Sequence, residues 1–315
     1  MKTKYIALAM AAMMAGLTFN ACSKDDDNSN SGNNGNGGNG GGSDQPAATV
    51  GGFRDDGASN ALFSVSDTKQ VRFSRGNLQY QASTGTWRFA ENQYDMVGED
   101  NVNISETYDG WVDLFAWGNS GWESGATSYQ PWDLPLQWNA NYPGGSADND
   151  LTGDYAEADW AWHNAISNGG NQTHKWRTLT SEEWEYLTQN RPEADTKVGL
   201  ATVGETTGTV ILPDAWTAPE GLALNNDLDA WDNNVYTLEQ WAMMEDAGAI
   251  FLPAAGYGNN GYSRIYFWQG GESGNYWSTT HYDSDGALCF FFNTDGIVTW
   301  EATRVGGRSV RLVTE

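Results

Sequence analysis

An acidic cluster provides the clearest set of side chains that could bind a metal ion. Asp148, Asp150 and Asp154 lie in the run DNDLTGD, which nearly follows the D-x-D-x-x-G layout of a Ca²⁺ loop, and Asp159 takes its twelfth position. Ca²⁺ prefers hard oxygen ligands, and alternate positions of a turn bring such ligands together. Thr152, however, replaces the usual third acid, and Asp159 is shorter than the usual Glu. The loop is therefore expected to be solvated and no cofactor is assigned, and a calcium site formed by these four aspartates is the alternative prediction.

Side chains that could act as nucleophiles or bind transition metals are few. Cys22 and Cys289 are the only cysteines, and the apolar run around Cys289 predicts a buried, inert thiol. The three histidines, His163, His174 and His281, lack the H-E-x-x-H spacing of a zinc site, and the chain has no G-x-S-x-G motif. A glycosidase pair of carboxylates cannot be located from the sequence, because such carboxylates are paired in space. No catalytic residue is assigned, and the chain is expected not to be an enzyme.

The charge of the chain argues against anionic partners. The 315 residues include 16 Lys and Arg against 41 Asp and Glu, which gives a formal net charge of −25 at pH 7. Nucleic-acid binding needs clustered basic residues to neutralise phosphates, so no nucleic-acid partner is expected. The same shortage of basic residues disfavours electrostatic docking on anionic lipids.

The N-terminal segment has the pattern of a secretion signal. Lys2 and Lys4 precede an apolar stretch over residues 6–17, which is shorter than the ~20 helical residues that span a bilayer. A small residue then stands directly before Cys22, which resembles a bacterial lipoprotein cleavage site. Residues 1–21 are therefore predicted to be a signal peptide, and Cys22 the lipidated first residue of the mature protein. An ordinary secretion signal is the alternative.

The residues after Cys22 predict a surface location. Ser23, Lys24 and three aspartates follow at once, a run that resembles the lipoprotein export signal of Bacteroidetes-type bacteria. This resemblance implies an outer-membrane protein that faces the cell exterior and contacts the membrane only through its lipid, and a periplasmic location is the alternative. Residues 22–51 are acidic and then rich in Gly and Asn, so they are predicted to form a disordered tether.

Residues 52–315 have the patterns of one α+β domain. Period-two alternation of apolar and polar residues predicts short antiparallel strands and hairpins. These strands are expected at residues 62–65, 71–74, 78–81, 87–89, 287–292, 297–300 and 310–313. A short apolar run predicts a buried strand at 249–252. Residues 98–156 show little periodicity, which indicates long irregular loops.

Three short helices are also expected. One covers residues 158–166 and ends before a Gly-Gly pair. The other two begin at capping boxes, one formed by Thr180 with Glu183 and the other by Thr237 with Gln240.

Several runs resemble one group of bacterial surface proteins. The run RTLTSEEWEYL at 177–187 is similar to a stretch of formylglycine-generating-enzyme-type domains, which are elaborated C-type lectin folds. Further runs resemble surface lipoproteins of Bacteroidetes and Fibrobacter: RGNLQY at 75–80, WRTLT at 176–180, FLPAAGY at 251–257, NYWSTT at 275–280 and GRSVRLV at 307–313. The resemblance implies a C-type-lectin-like fold with short antiparallel strands, about three short helices and long irregular loops.

The resemblance also bears on activity and on sequence variability. Formylglycine-generating activity depends on a pair of cysteines near the C-terminus, and only Cys289 stands there, so this activity is not expected. Some members of the lectin-fold group are variable targets of diversity-generating retroelements, which implies a hypermutated cassette at about residues 256–311. A non-diversified relative is the alternative. The ligand-binding residues implied in this segment are Tyr262, Arg264, Tyr266, Trp268, His281, Tyr282, Asp283, Asp285, Trp300 and Arg304.

These patterns together predict a surface lipoprotein whose C-terminal loops bind an extracellular glycan or protein. Aromatic side chains would anchor the ligand, because rings stack on sugar faces and offer a large contact area at low entropic cost. Core packing is the alternative for each of these rings. Two other classes of protein stay open: a carbohydrate-active or modifying surface enzyme, and a structural component of a surface appendage that accepts a neighbour's strand.

Overall fold

Hairpins and short helices alternate along the chain in an α+β arrangement. A computed structural model describes residues 52–103, 105–122, 148–260 and 265–315. The predicted signal peptide, Cys22, the tether, Tyr262 and Arg264 lie outside these described residues. None of the helices within the described ranges is long and apolar enough to cross a membrane.

The strands are short at the start of the domain and longer toward its end. They are β1 (Phe63–Ser64), β2 (Gln70–Phe73), β3 (Leu78–Gln81), β4 (Thr86–Phe89), β5 (Arg177–Thr178), β6 (Val198–Val203), β7 (Thr206–Ile211), β8 (Val235–Tyr236), β9 (Ile250–Pro253), β10 (Tyr257–Asn260), β11 (Ile265–Trp268), β12 (Gly274–His281), β13 (Gly286–Asn293), β14 (Gly296–Thr303) and β15 (Leu312–Thr314). The helices are α1 (Trp160–His163), α2 (Ser181–Glu185) and α3 (Leu238–Asp246). Single 3₁₀ turns and one π turn, Tyr186–Asn190, connect several of these elements.

A four-stranded sheet brings the first and last strands of the domain together. Its order is β1-β2-β15-β5, so the last strand pairs with β2 on one side and with β5 on the other. A second four-stranded sheet has the order β8-β6-β7-β9 and includes the parallel pair β6–β8. The pairs β3–β4 and β10–β11 form two-stranded sheets, and β12-β13-β14 form a three-stranded antiparallel sheet.

The hairpins form where turn chemistry and alternation agree. Gly85 closes the β3–β4 hairpin at φ +62°, a left-handed conformation that costs glycine little. Asn293 pairs with Gly296 across the β13–β14 hairpin, and the Asn293 side chain accepts a hydrogen bond from the Asp295 N–H at 2.8 Å. The predicted strands at 78–81 and 87–89 thus pair in one hairpin, and those at 287–292 and 297–300 pair in another, so both hairpins are confirmed.

Both predicted capping boxes are present. The Thr180 hydroxyl accepts from the Glu183 N–H, and the Glu183 carboxylate accepts from the Thr180 N–H; Thr237 and Gln240 make the same pair of bonds. The helix predicted over 158–166 is shorter than expected and covers only Trp160–His163. Asp159 is held in an extended conformation beside Thr178, and this tertiary contact prevents an earlier start of the helix.

Tryptophan side chains fill the core. Trp117, Trp160, Trp176, Trp184, Trp241 and Trp277 are among the largest fully buried side chains. Trp184 of α2 stacks on Phe290 of β13 with ring centroids 4.8 Å apart, and this contact packs α2 on the three-stranded sheet. Burial of one such ring removes about 150–250 Å² from water, which corresponds to an upper bound of about 4–6 kcal/mol.

Candidate functional site

Six of the ten predicted ligand-binding residues belong to the three-stranded sheet, to its β12–β13 turn or to the position directly after β14. Strands β12 and β13 are largely buried, whereas β14 is the outer strand and is largely exposed. Trp300 pairs with the buried Cys289, and Val298 pairs with Phe291, so these four side chains share one face of the sheet. Trp300 is 61% exposed and Val298 is 41% exposed, so this end of the face is open to solvent.

The exposed large aromatic side chains of the described residues all belong to the C-terminal segment. They are Trp268 (50% exposed), Tyr282 (53%) and Trp300 (61%), called here the exposed C-terminal aromatics. A Cβ atom at Gly286 would lie 3.4 Å from both the Tyr282 ring and the Glu301 side chain, which places Tyr282 on the face of the sheet opposite Trp300. Tyr282 and Trp300 therefore lie on opposite faces of the three-stranded sheet, and Trp268 belongs to β11 of a separate two-stranded sheet.

The turn that follows Tyr282 is held by Asp283 and Arg304. The Asp283 carboxylate accepts hydrogen bonds from the N–H groups of Asp285 (2.8 Å) and Gly286 (2.7 Å). Arg304 is fully buried, stacks over the Trp117 ring at 4.4 Å, and donates to the carbonyls of Gly286 (3.0 Å) and Asp283 (2.6 Å). Arg304, predicted to contact ligand, thus positions this turn from the inside, whereas Asp285 is exposed on it.

Two residues from different predicted sites, Asp150 and His281, meet at the end of β12. One Asp150 oxygen accepts from the His281 N–H at 2.9 Å and lies 2.7 Å from the His281 Nδ1. The Leu151 N–H also donates to the Thr279 carbonyl at 2.8 Å, so this acidic segment is tied to the strand. Tyr266 of β11 pairs through its backbone with Asn259 of β10.

The predicted calcium ligands are distributed over different environments. Asp159 is buried, and its two oxygens accept from the N–H (2.7 Å) and hydroxyl (2.8 Å) of Thr178. Burial raises the pKa of Asp159 to about 6, despite these hydrogen bonds. Asp148 and Asp154 are exposed. No group of three His, Cys, Asp or Glu side chains in the described ranges is arranged to hold a metal ion, and the calcium site stays a prediction.

The other two histidines share one carboxylate. His163 Nδ1 lies 3.3 Å and His174 Nε2 lies 3.1 Å from the oxygens of Glu157. The hydrogen bond from His174 is the main cause that lowers the pKa of Glu157, and the bond from His163 adds to it. These contacts bind α1 to the loop that follows it.

A buried polar network joins the runs that carry the family resemblance. The Asn77 amide donates to the Tyr276 hydroxyl at 3.1 Å, and that hydroxyl donates to the Pro253 carbonyl at 2.9 Å. Arg311 is fully buried and donates to the Gln93 side-chain oxygen at 2.7 Å. Gln93 in turn donates to Glu245 at 2.9 Å. The runs at 75–80, 251–257, 275–280 and 307–313 therefore meet in the core. Gln93, which links them, carries no local sequence signal and was not predicted.

Two acidic groups with strongly raised pKa values, the Asp113 carboxyl and the Cys289 thiol, are buried in the core. Asp113 is fully buried, and burial raises its pKa to about 6, although Asn101 and the Val97 N–H donate to it at 2.7 Å and 2.9 Å. Cys289 is buried as predicted, and burial raises the pKa of its thiol to about 11, which disfavours the reactive thiolate.

The geometry thus offers three separate exposed aromatic side chains in the C-terminal segment, several structural polar clusters and an α+β frame. Comparison with models of protein families, with curated protein sequences and with solved structures finds no match to this chain.

Proposed function

We propose that this chain is a surface lipoprotein whose C-type-lectin-like domain binds an extracellular protein or glycan through the exposed C-terminal aromatics. The observation that carries the proposal is that Trp268, Tyr282 and Trp300 are the exposed large aromatics of the described residues and all lie between β11 and β14. Large rings are the side chains that most often anchor a partner, because they bury much apolar area with few rotatable bonds.

The rigidity of the hairpin supports this proposal. Tyr276 of β12 and Phe290 of β13 pack on Trp184, and Arg304 donates a hydrogen bond to the carbonyl of Asp283 in the turn beside Tyr282. A ligand would therefore meet rings on a fixed frame, which lowers the entropic cost of binding.

The buried network supports the proposed fold. Four of the runs that resemble lectin-fold lipoproteins meet around Arg311 and Tyr276. The side chains of Arg311 and Tyr276 are buried and stabilise the core. Variation of exposed residues on β14 would leave this network intact, as a diversified ligand-binding surface requires.

The test uses the mature chain with Cys22→Ser, which keeps it in solution, on a panel of extracellular proteins and glycans. We expect binding that Trp300→Ala or Trp268→Ala weakens by about tenfold or more, as for interface anchors. Val235→Ala and Leu238→Ala change side chains that are 61% and 48% exposed elsewhere, and should leave the affinity unchanged. No binding on the panel, or equal losses in the control variants, would refute the proposal.

A structural role in a surface appendage is the second candidate, and the edge strand β14 favours it. This strand has eight residues, contains no Lys or Pro, and has no partner strand on its outer side among the described residues. Such an edge can accept a strand from another chain. Under this alternative Val298→Lys would abolish chain-to-chain association, whereas a chain that stays monomeric on the cell surface would exclude it.

A further inference from the structure

An open recess lies beside the β3–β4 hairpin, and its lining residues are not among those predicted to bind ligand. It is an open cleft of about 620 Å³, a volume within the range of about 300–1,000 Å³ typical of small-molecule sites. Its lining includes Gln79, Arg88, Tyr94, Asp100, Tyr108 and Trp111. From this cleft we infer a binding site for a neutral oligosaccharide.

The hairpin explains why polar residues face this cleft. Leu78, Tyr80, Trp87 and Phe89 belong to the hydrophobic core, and the alternate positions point to the other side. Gln79 and Arg88 are direct cross-strand partners on that side. The same strands therefore build the core with one face and the cleft with the other.

Gln79 offers a hydrogen-bond donor at the cleft. Its side chain is nearly buried, with 4% of the residue exposed, and its Oε1 accepts from Arg88 Nε at 2.9 Å. A guanidinium group can only donate, so the oxygen must face Arg88 and the amide NH₂ must point elsewhere. No group among the described residues accepts from this NH₂. Because its nitrogen keeps contact with solvent, this NH₂ can donate to water and, when a ligand is bound, to a ligand oxygen instead.

Arg88 acts as a positioning residue. Its guanidinium carbon lies 3.7 Å from the centroid of the Trp111 ring, and its Nη1 lies 3.7 Å from a Glu91 oxygen. The Arg88 guanidinium thus already contacts the Trp111 ring, the Gln79 amide and the Glu91 carboxylate. These contacts weaken its attraction for an anionic ligand. These contacts also hold Trp111 in place at the cleft wall.

The remaining lining suits sugar hydroxyl groups and sugar C–H faces. Tyr94, Tyr108 and Trp111 offer aromatic surface together with hydroxyl and indole donors. Asp95 and Asp100 offer carboxylate acceptors, and no donor among the described residues binds the Asp100 carboxylate. A neutral sugar presents donors, acceptors and apolar faces together. An acidic sugar would meet two carboxylates and a chain with a net charge of −25.

The test first measures binding of the mature chain with Cys22→Ser to an array of neutral and acidic glycans. The affinity for the neutral glycan that binds best is then measured by titration. Gln79→Glu is the decisive variant, because it keeps an acceptor for Arg88 and replaces the free donor by an acceptor oxygen. We expect Gln79→Glu, Trp111→Ala and Asp100→Ala each to weaken the neutral glycan by about tenfold or more. Asp100 is exposed, so its replacement tests the site without disturbing the core.

The matched control is Gln240→Glu, the same chemical change in a capping box that accepts Glu equally well. It should bind like the wild type. The inference is overturned if the array shows no neutral glycan bound, if acidic glycans bind more tightly, or if the three cleft variants bind like the wild type.

Discussion

Replacing Asp159 by asparagine should change how the stability of this protein depends on pH. Both oxygens of Asp159 accept from Thr178, and the side chain is buried at the start of α1. An asparagine of the same shape can accept from the Thr178 N–H with its oxygen and donate to the Thr178 hydroxyl with its nitrogen. The substitution thus removes the titration and keeps the contacts.

The expected magnitude follows from the raised pKa of Asp159. Burial raises this pKa from 3.8 to about 6, which corresponds to about 3 kcal/mol at about 1.4 kcal/mol per tenfold change. Because the folded state holds the proton more tightly, the contribution to stability is complete below pH 3.8 and is lost as the pH rises through about 6. The unfolding free energy of the wild type, relative to Asp159→Asn, should therefore fall by about 2.4 kcal/mol between pH 4 and pH 7.

Equilibrium unfolding in denaturant at several pH values between 4 and 7 measures this difference directly. The control is Thr188→Val, which removes a buried hydroxyl that donates to the Trp184 carbonyl and no titratable group. Its difference from the wild type should not vary with pH. A constant difference for Asp159→Asn, or one that grows with pH, would refute the assignment of a raised pKa to this buried carboxyl group.

Two further substitutions and the addition of Ca²⁺ test other parts of the protein. Cys22→Ser should abolish fatty-acid labelling and the accessibility of the chain to protease on intact cells, and labelling that persists would contradict the lipoprotein proposal. Arg311→Met should lower the unfolding free energy by about 1.5–3 kcal/mol, because it removes the charged hydrogen bond to the buried Gln93 oxygen, and a change below about 0.5 kcal/mol would show that the network is not a main support. Millimolar Ca²⁺ should shift the unfolding temperature by less than about 1 °C, since Asp150 and Asp159 already bond to His281 and Thr178; a chelator-reversible rise of several degrees would instead locate calcium at this loop.

Local signals in the sequence predicted the elements that depend on neighbouring residues. The capping boxes at Thr180 and Thr237 need only residues three apart, and the β13–β14 hairpin needs alternation and a turn. The buried state of Cys289 also follows from the apolar run around it. These features could be predicted because their energetics are set within one short segment.

Contacts between distant segments could not be predicted in the same way. Asp159 fits a calcium-loop pattern, yet the structure gives it Thr178 as a partner, and this contact also shortens α1. Arg304 lies in a segment expected to contact ligand, but its stacking on Trp117 buries it. The cleft is assembled from the β3–β4 hairpin, residues 94–97, residue 100, residues 108–111 and Thr206, so no single stretch of sequence predicts it.

The most direct test of the proposed binding surface is amide hydrogen exchange of the mature chain, with and without the extracellular protein that binds it best on the panel. We expect slower exchange on binding in residues 282–303, which hold Tyr282, Trp300 and the exposed edge of β14, and unchanged exchange in β6 and β7. Exchange that slows in β6 and β7 while residues 282–303 stay unchanged would contradict it.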